Sequence, residues 1–210
     1  MTSIITVKEL LDRSFQNVSS LRFHGKLRFS EIEAEDFLEF AKEDSKGRDL
    51  RSCVNALGNV KRAIECRIDS ILYVYCLHKK SEKEKWDFPK KIEIIEQLGI
   101  VAPSILKRIN KKRNELEHRY VKPTKEEVDD GRDVAKLFLA YTSQLVANPV
   151  TSFEKKGDYE IKLNREEGIA TLIDKKKIIG VQLANMDDDD GWLEFARRFA
   201  KLGTFPFQSF

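Results

Sequence analysis

No proline interrupts the stretch from Arg48 to about Lys79, and an apolar series runs through it: Leu50, Val54, Leu57, Val60, Ile64, Ile68, Ile71, Leu72, Val74 and Tyr75. The three-and-four spacing is that of one broad helix face. The segment therefore predicts the longest helix of the chain and the central, most buried member of a bundle. Gly58 weakens such a helix by about 1 kcal/mol relative to alanine, which suggests another backbone packed closely against it. Glu65 and Asp69 lie one turn apart on it and are expected to be solvated or salt-bridged.

Other helices are expected on either side. Val7, Leu10, Leu11 and Phe15 give a helical pattern over Thr6 to Asn17, opened by a threonine cap, whereas Ser19 to Phe29 is mixed and stays undecided. Ser30 followed by Glu33 resembles a capping box, with Ile32, Phe37, Leu38 and Phe40 available for a core and a stop near Ser45 to Gly47. After a polar connection from Ser81 to Asp87, Phe88-Pro89 opens a helix carrying Ile92, Ile95, Leu98 and Ile100 and ending near Gly99. Pro103 suits the first turn of the next helix, and Lys122-Pro123 is expected to end it. Thr124 with Glu127 makes a second capping box before a helix over Lys125 to Ala147, with Val128, Val134, Leu137, Phe138, Tyr141 and Leu145 turned inward.

Beyond Asn148-Pro149 the period changes from helical to alternating. Tyr159, Ile161 and Leu163 alternate with charged residues, and Ile169 to Asp174 and Ile178 to Ala184 are two further strand-like runs, which together predict a three-stranded meander. Asp187 to Asp190 and Gly191 introduce a short helix with Trp192, Phe195, Phe199 and Leu202 on one face. Those aspartates suit a helix start favoured by the macrodipole; a cation site is the other reading. The expected organisation is an N-terminal helical extension (1–47), a helical bundle (48–148) and a small α+β C-terminal domain (149–210).

With 41% hydrophobic and 35% charged residues, the composition is that of a folded, highly charged protein. No apolar run approaches the roughly 18 residues that span a bilayer. The start, MTSIITVKELLDRSF, carries acids and no cleavable apolar core. We therefore expect a cytoplasmic protein with no membrane partner. Cys53, Cys66 and Cys76 are odd in number and lack metal-ligand spacing, so they are expected to be reduced and buried. The net charge is only +3, yet residues 79–125 carry 14 Lys/Arg against 7 Asp/Glu. A block like this is either a solvated face or a footprint for a polyanion.

Inside the block lies RNELEHRY, Arg113 to Tyr120. Ile109, Arg113, Leu116 and Tyr120 have the spacing of one helix ridge, so Arg113 interrupts an apolar line. It is either a structural arginine paired with Glu117 or a cation held to meet an anion such as phosphate. Asn114 and His118 are i and i+4 and share a helix face. Five residues at about 100° each place Arg113 and His118 roughly 140° apart on a straight helix. The arginine's reach, a broken helix end before Pro123, or pairing across a dimer axis could each bring the two together.

The run LKRINKKRNELEHRYVKPTKEEVDDGRDVAKLFL, with the preceding RDLRSCVNALGNVKRAIECRIDSIL, resembles a HEPN domain over roughly residues 48 to 147. That family's signature is an arginine, a polar residue and then a histidine four to six positions on, matched here by Arg113, Asn114 and His118. His118, Arg119 and Tyr120 also match the His-x-Tyr extension of HEPN toxins paired with a minimal nucleotidyltransferase antitoxin. The N-terminal extension and the segment after Asn148 depart from the short stand-alone toxins and weaken any inference to such a partner.

The resemblance implies a mainly α fold: a HEPN-like antiparallel helical bundle, here with an N-terminal helical extension and a small C-terminal β-meander plus helix. It implies a metal-independent endoribonuclease without cofactors, acting on RNA as a homodimer in toxin-antitoxin or antiviral defence, with a possible antitoxin or defence partner protein. Arg113, Asn114, His118 and Tyr120 become the catalytic candidates, and Lys107, Lys111, Lys112, Arg119 and Lys122 the RNA-binding candidates. The chemistry suits them, because imidazole can move protons near neutrality and guanidinium can brace a phosphoryl group as its charge grows. Two alternatives stay open: a non-catalytic module that binds nucleic acid or a partner protein, and a metal-dependent enzyme using Asp187 to Asp190. His24 and His78 have no such context and are expected to be structural or solvated.

Overall fold

The computed structural model describes residues 20–23, 30–47, 49–100, 104–155, 159–174, 177–182 and 191–203. The expected helix over Thr6 to Asn17, and Asp187 to Asp190, lie outside the described residues. Seven helices are present among them: α1 (Ala34–Asp44), α2 (Leu50–Val74), α3 (His78–Lys83), α4 (Phe88–Gln97), α5 (Ser104–Arg119), α6 (Lys125–Ala147) and α7 (Trp192–Gly203). Five strands form one antiparallel sheet in the order β1 (Ser20–Phe23), β2 (Val150–Lys155), β3 (Tyr159–Asn164), β4 (Ile169–Asp174) and β5 (Lys177–Gln182). The protein is mainly helical with a small antiparallel sheet. No helix among the described residues is long and apolar enough to cross a membrane.

The long helix forms on the apolar series as predicted, but it ends at Val74 and not near Lys79. Asp49 caps α2 by accepting from the Ser52 N–H at 3.1 Å. Val60, Ile64, Ile68, Ile71 and Leu72 are wholly buried, whereas Leu50, in the first turn, is half-exposed. The helix stops at Cys76, whose φ of 60° allows the Leu77 N–H to reach the Leu72 carbonyl at 2.7 Å. The chain beyond it is not the expected polar connection. Leu77, Ser81 and Trp86 are buried and pin the short helix α3 against the bundle. Gly58 also departs from expectation, since among the described residues nothing lies within 4 Å of where its Cβ would be. The close approach is at Gly131 of α6, where a Cβ would meet Val60 Cγ1 at 3.5 Å and Leu57 Cδ1 at 3.9 Å.

α1 runs antiparallel to α2: Glu35 near its start pairs with Arg67, and Asp44 at its end accepts from Asn59 at 2.9 Å. Its capping box is built by Glu33 and Asp36, three residues later than expected. Ser30 instead donates to the Ile32 carbonyl at 2.6 Å. Leu38 turns inward as expected, but Ile32 and Phe40 do not. Ala34, Leu38 and Ala41 line the packed face at four-and-three spacing, while Ile32 precedes the helix and is half-exposed, as is Phe40.

α6 begins at the expected capping box, with Thr124 Oγ1 accepting from the Glu127 N–H at 3.1 Å. Its inward face is set by Val128, Gly131, Ala135, Phe138, Leu139 and Thr142. Leu137 and Tyr141 fall to one side of that line and are 71% and 59% exposed, against expectation.

The sheet contains the three expected strands and two more. β2 comes directly after Pro149, and β1, from the undecided segment, pairs with it through Ser20 opposite Glu154. Ile161 pairs with Leu172 and Leu163 with Ala170, and the buried Ile161 and Ala170 join the bundle core. Arg165, in the turn after β3, is buried and donates through Nε to the Val74 carbonyl at 2.9 Å and through Nη2 to the Val150 carbonyl. Burial pushes its guanidinium below the usual arginine range.

α7 completes the core. Phe199 meets Tyr75 edge-on at 6.4 Å, and Arg197 Nε donates to the Gln97 carbonyl at the end of α4 at 2.7 Å. One hydrophobic cluster therefore runs from Ala34 through the bundle and the sheet to Ala200. The cysteines are free: Cys53 and Cys76 are buried, and Cys66 is half-buried.

Candidate functional site

α5 carries the motif. Leu106 and Ile109 are its buried anchors, and Leu116 packs against a smaller cluster of Cys53, Ala56, Leu57 and Val128. The helix ends at Arg119, before the expected stop at Lys122-Pro123. Tyr120 has a φ of 55° and donates its N–H to the Leu116 carbonyl at 3.1 Å, while the Val121 N–H reaches the Glu115 carbonyl at 3.3 Å. The guanidinium of Arg119 in the last turn suits the negative end of the helix dipole.

Between α4 and α5 lies a cavity of about 380 Å3. Its apolar wall is Phe88, Pro89 and Ile92 of α4. Lys107, Asn110, Lys111, Asn114, His118 and Arg119 of α5 supply a polar wall, with the half-buried Glu115 at one side. Asn114 and His118 thus line one recess, as their shared helix face requires. His118 is solvent-exposed within it, so a substrate can reach the imidazole.

Arg113 is part of α5, but its side chain and that of Glu117 lie outside the described residues. The helix is continuous from Arg113 to His118, so a broken helix end is not what relates them, and their backbone positions remain about 140° apart around the axis. Tyr120 does not line the cavity. It is 87% exposed, which takes it off the buried ridge on which Ile109 lies.

The basic candidates divide into two groups. Lys107 pairs with Glu96 at 3.5 Å, and Lys112 with Glu127 at 2.7 Å and Glu115 at 3.5 Å. The hydrogen bond with Glu127 raises the Lys112 ammonium above its usual range. The Glu127 carboxyl is held below its usual range by Lys112 first and by the Thr124 N–H second. Lys111, Arg119 and Lys122 are exposed and make no ion pair among the described residues. Of these candidates, the ones without an ion pair among the described residues are Lys111 and Arg119, which line the cavity, and Lys122, just beyond the helix.

A second cavity of about 530 Å3 lies on the other side of α5, floored by Leu57, Ile109 and Val134 and rimmed by Arg108 and Lys112 against Glu127 and Asp130. Its mixed charges make it a poorer place for an anion. Glu65 and Asp69 are engaged with Lys61 at 3.0 Å and Lys91 at 2.7 Å, and neither lines the first cavity. His78 is half-buried beside Glu82 at 3.4 Å, and burial lowers its pKa. No group of three His, Cys, Asp or Glu side chains is placed to hold a metal ion among the described residues.

Two features of the site escape the motif-based reading of the sequence. Lys107, Lys111, Asn114 and His118 have four-three-four spacing, a polar stripe that periodicity alone could have shown. The α4 wall had no such signal, because Phe88, Pro89 and Ile92 reach the motif only through tertiary packing. Comparisons with models of protein families, with curated proteins and with solved structures found no match to this chain.

Proposed function

We propose that this chain is a HEPN-type, metal-independent endoribonuclease, acting in the cytoplasm as a homodimer in toxin-antitoxin or antiviral defence. The observation that carries the reading is the recess between α4 and α5, where Asn114 and an accessible His118 stand beside Lys111 and Arg119, cations with no ion pair among the described residues. A phosphodiester placed there meets positive charge and a proton-transfer group together. In the reaction the substrate's 2′-oxygen attacks phosphorus and gives up its proton, and the 5′-oxygen leaves with one, producing a 2′,3′-cyclic phosphate and a 5′-hydroxyl. His118 takes one of these proton transfers. Arg113 braces the phosphoryl oxygens as charge develops on them, and Asn114 fixes the imidazole or holds ribose.

The separation of Arg113 from His118 around a continuous helix favours a composite site, with one group from each protomer. It also keeps the second reading alive, a non-catalytic module that binds nucleic acid or a partner protein through the same recess. Incubation of the purified protein with RNA in EDTA decides between them. Cleavage that falls about 10²–10⁴-fold in His118→Ala supports the nuclease; intact RNA, or equal cleavage by His118→Ala, rejects it. Mixing Arg113→Ala chains with His118→Ala chains should restore part of the activity if the site is shared.

A further inference from the structure

The chain leaves α5 through a residue whose side chain the turn does not need. At a φ of 55° Tyr120 occupies the left-handed region that glycine fills without steric cost. The two hydrogen bonds that close the helix there are made by the backbone of Tyr120 and Val121. The ring is 87% exposed, lines neither cavity beside α5 and contacts no other ring among the described residues. On either side in the sequence are exposed cations that make no ion pair among the described residues, Arg119 lining the first cavity and Lys122 two residues further on. An exposed aromatic face between two free positive charges is the arrangement with which proteins hold single strands. The ring stacks on a base, whatever its identity, while the cations meet the backbone phosphates.

We infer that Tyr120 is a stacking platform for an unpaired nucleobase next to the phosphate held at His118, with Arg119 and Lys122 meeting the flanking phosphates. The inference rests on RNA as the ligand of this site and gives Tyr120, a catalytic candidate in the motif, a binding role. A base inside a duplex has no free face to offer, so the platform selects single-stranded RNA. Its requirement is for an aromatic ring and not for a hydroxyl.

The test is equilibrium binding of a short fluorescent RNA, single-stranded or paired with its complement, to the full chain carrying His118→Ala so that no ligand is consumed. In that background Tyr120→Ala should raise Kd for the single strand about tenfold or more. Tyr120→Phe should leave it within about twofold, and neither should change Kd for the duplex. The slope of log Kd against log salt should not change with Tyr120→Ala, because the ring neutralises no phosphate. Arg119→Ala together with Lys122→Ala should flatten it by about 1.4.

Tyr120→Gly guards against a folding artefact. It should match Tyr120→Ala in lost affinity while its melting temperature holds or rises, because glycine suits the backbone there. The platform is overturned if Tyr120→Ala or Tyr120→Gly binds as tightly as the parent, or if Tyr120→Phe loses as much as Tyr120→Ala. Tyrosine-dependent binding by a chain that leaves RNA uncut with His118 intact would remove the nuclease and keep the platform. Cleavage with an unaltered KM in Tyr120→Ala would do the reverse, and no binding to either RNA would remove both.

Discussion

α2 and α5 are both long amphipathic helices, but they use their side chains in opposite ways. α2 buries an unbroken series from Cys53 to Val74 and even draws a guanidinium, Arg67, out of solvent. α5 buries only Leu106 and Ile109 among its described side chains, and is otherwise held by Leu116 and by ion pairs from Lys107 and Lys112. The consequence is a division of labour along the chain. The helix that fixes the fold does not line the first cavity, and the helix that presents the candidate chemistry contributes little to the core. Functional elements are commonly drawn from the less stable part of a fold, and here the difference can be measured.

The largest expected effect is in the core. Leu72 is fully buried, so Leu72→Ala should cost about 3–4 kcal/mol in denaturant unfolding, whereas Leu116→Ala, half-buried, should cost about 1 kcal/mol. Equal losses would mean that α5 is as much a core helix as α2. Next comes the lock between α1 and α2. Arg67 is 2% exposed and its Nη1 meets no acceptor among the described residues, while Glu35 is 56% exposed. Glu35→Ala strands a buried cation and should lower stability by about 2 kcal/mol, yet Arg67→Met should cost less than about 1 kcal/mol. The reverse order would show that the guanidinium itself holds the helices together.

Acid should act on the weaker helix first. Glu127 has its folded pKa depressed below 4.5. The stabilisation it gives is therefore present above that value and is lost as pH falls through the folded pKa. In hydrogen exchange monitored along such a titration, α5 amides should lose protection before those of α2; simultaneous loss would contradict the division. The smallest effect should come from Gly58→Ala, a gain of about 0.5–1 kcal/mol, since the site on α2 is helical and open. A loss there would reveal a neighbour that the fold does not show.

Which of these features can be read in the sequence depends on how local their causes are. The Thr124 and Glu127 box, the Asp49-to-Val74 helix and the alternation in β3 and β4 arise from residues within a few positions of each other, and the sequence records them directly. Ile32 sits elsewhere than expected because the cap at Glu33 leaves it outside α1, and Phe40 because the packed line of that helix is Ala34, Leu38 and Ala41. Leu137 and Tyr141 do so because the inward line of α6 is chosen by its fit to α2 at Gly131. β1 and β2 pair across some 130 residues, so neither could declare its partner. At the candidate site the same rule divides the walls: the Asn114 and His118 face was legible, but its opposite wall from α4 was not.

Arg165 bears on how small a working version of this protein can be made. A fragment stopping at Pro149 would retain every letter of RNELEHRY, and so would look sufficient on paper. It would also forfeit the donor that satisfies the Val74 carbonyl, and it would lay Tyr75 open where Phe199 now covers it. Such a miniature would carry a sticky apolar scar at the far end of its own central helix, and trimming for crystallisation or for activity screens is better directed elsewhere.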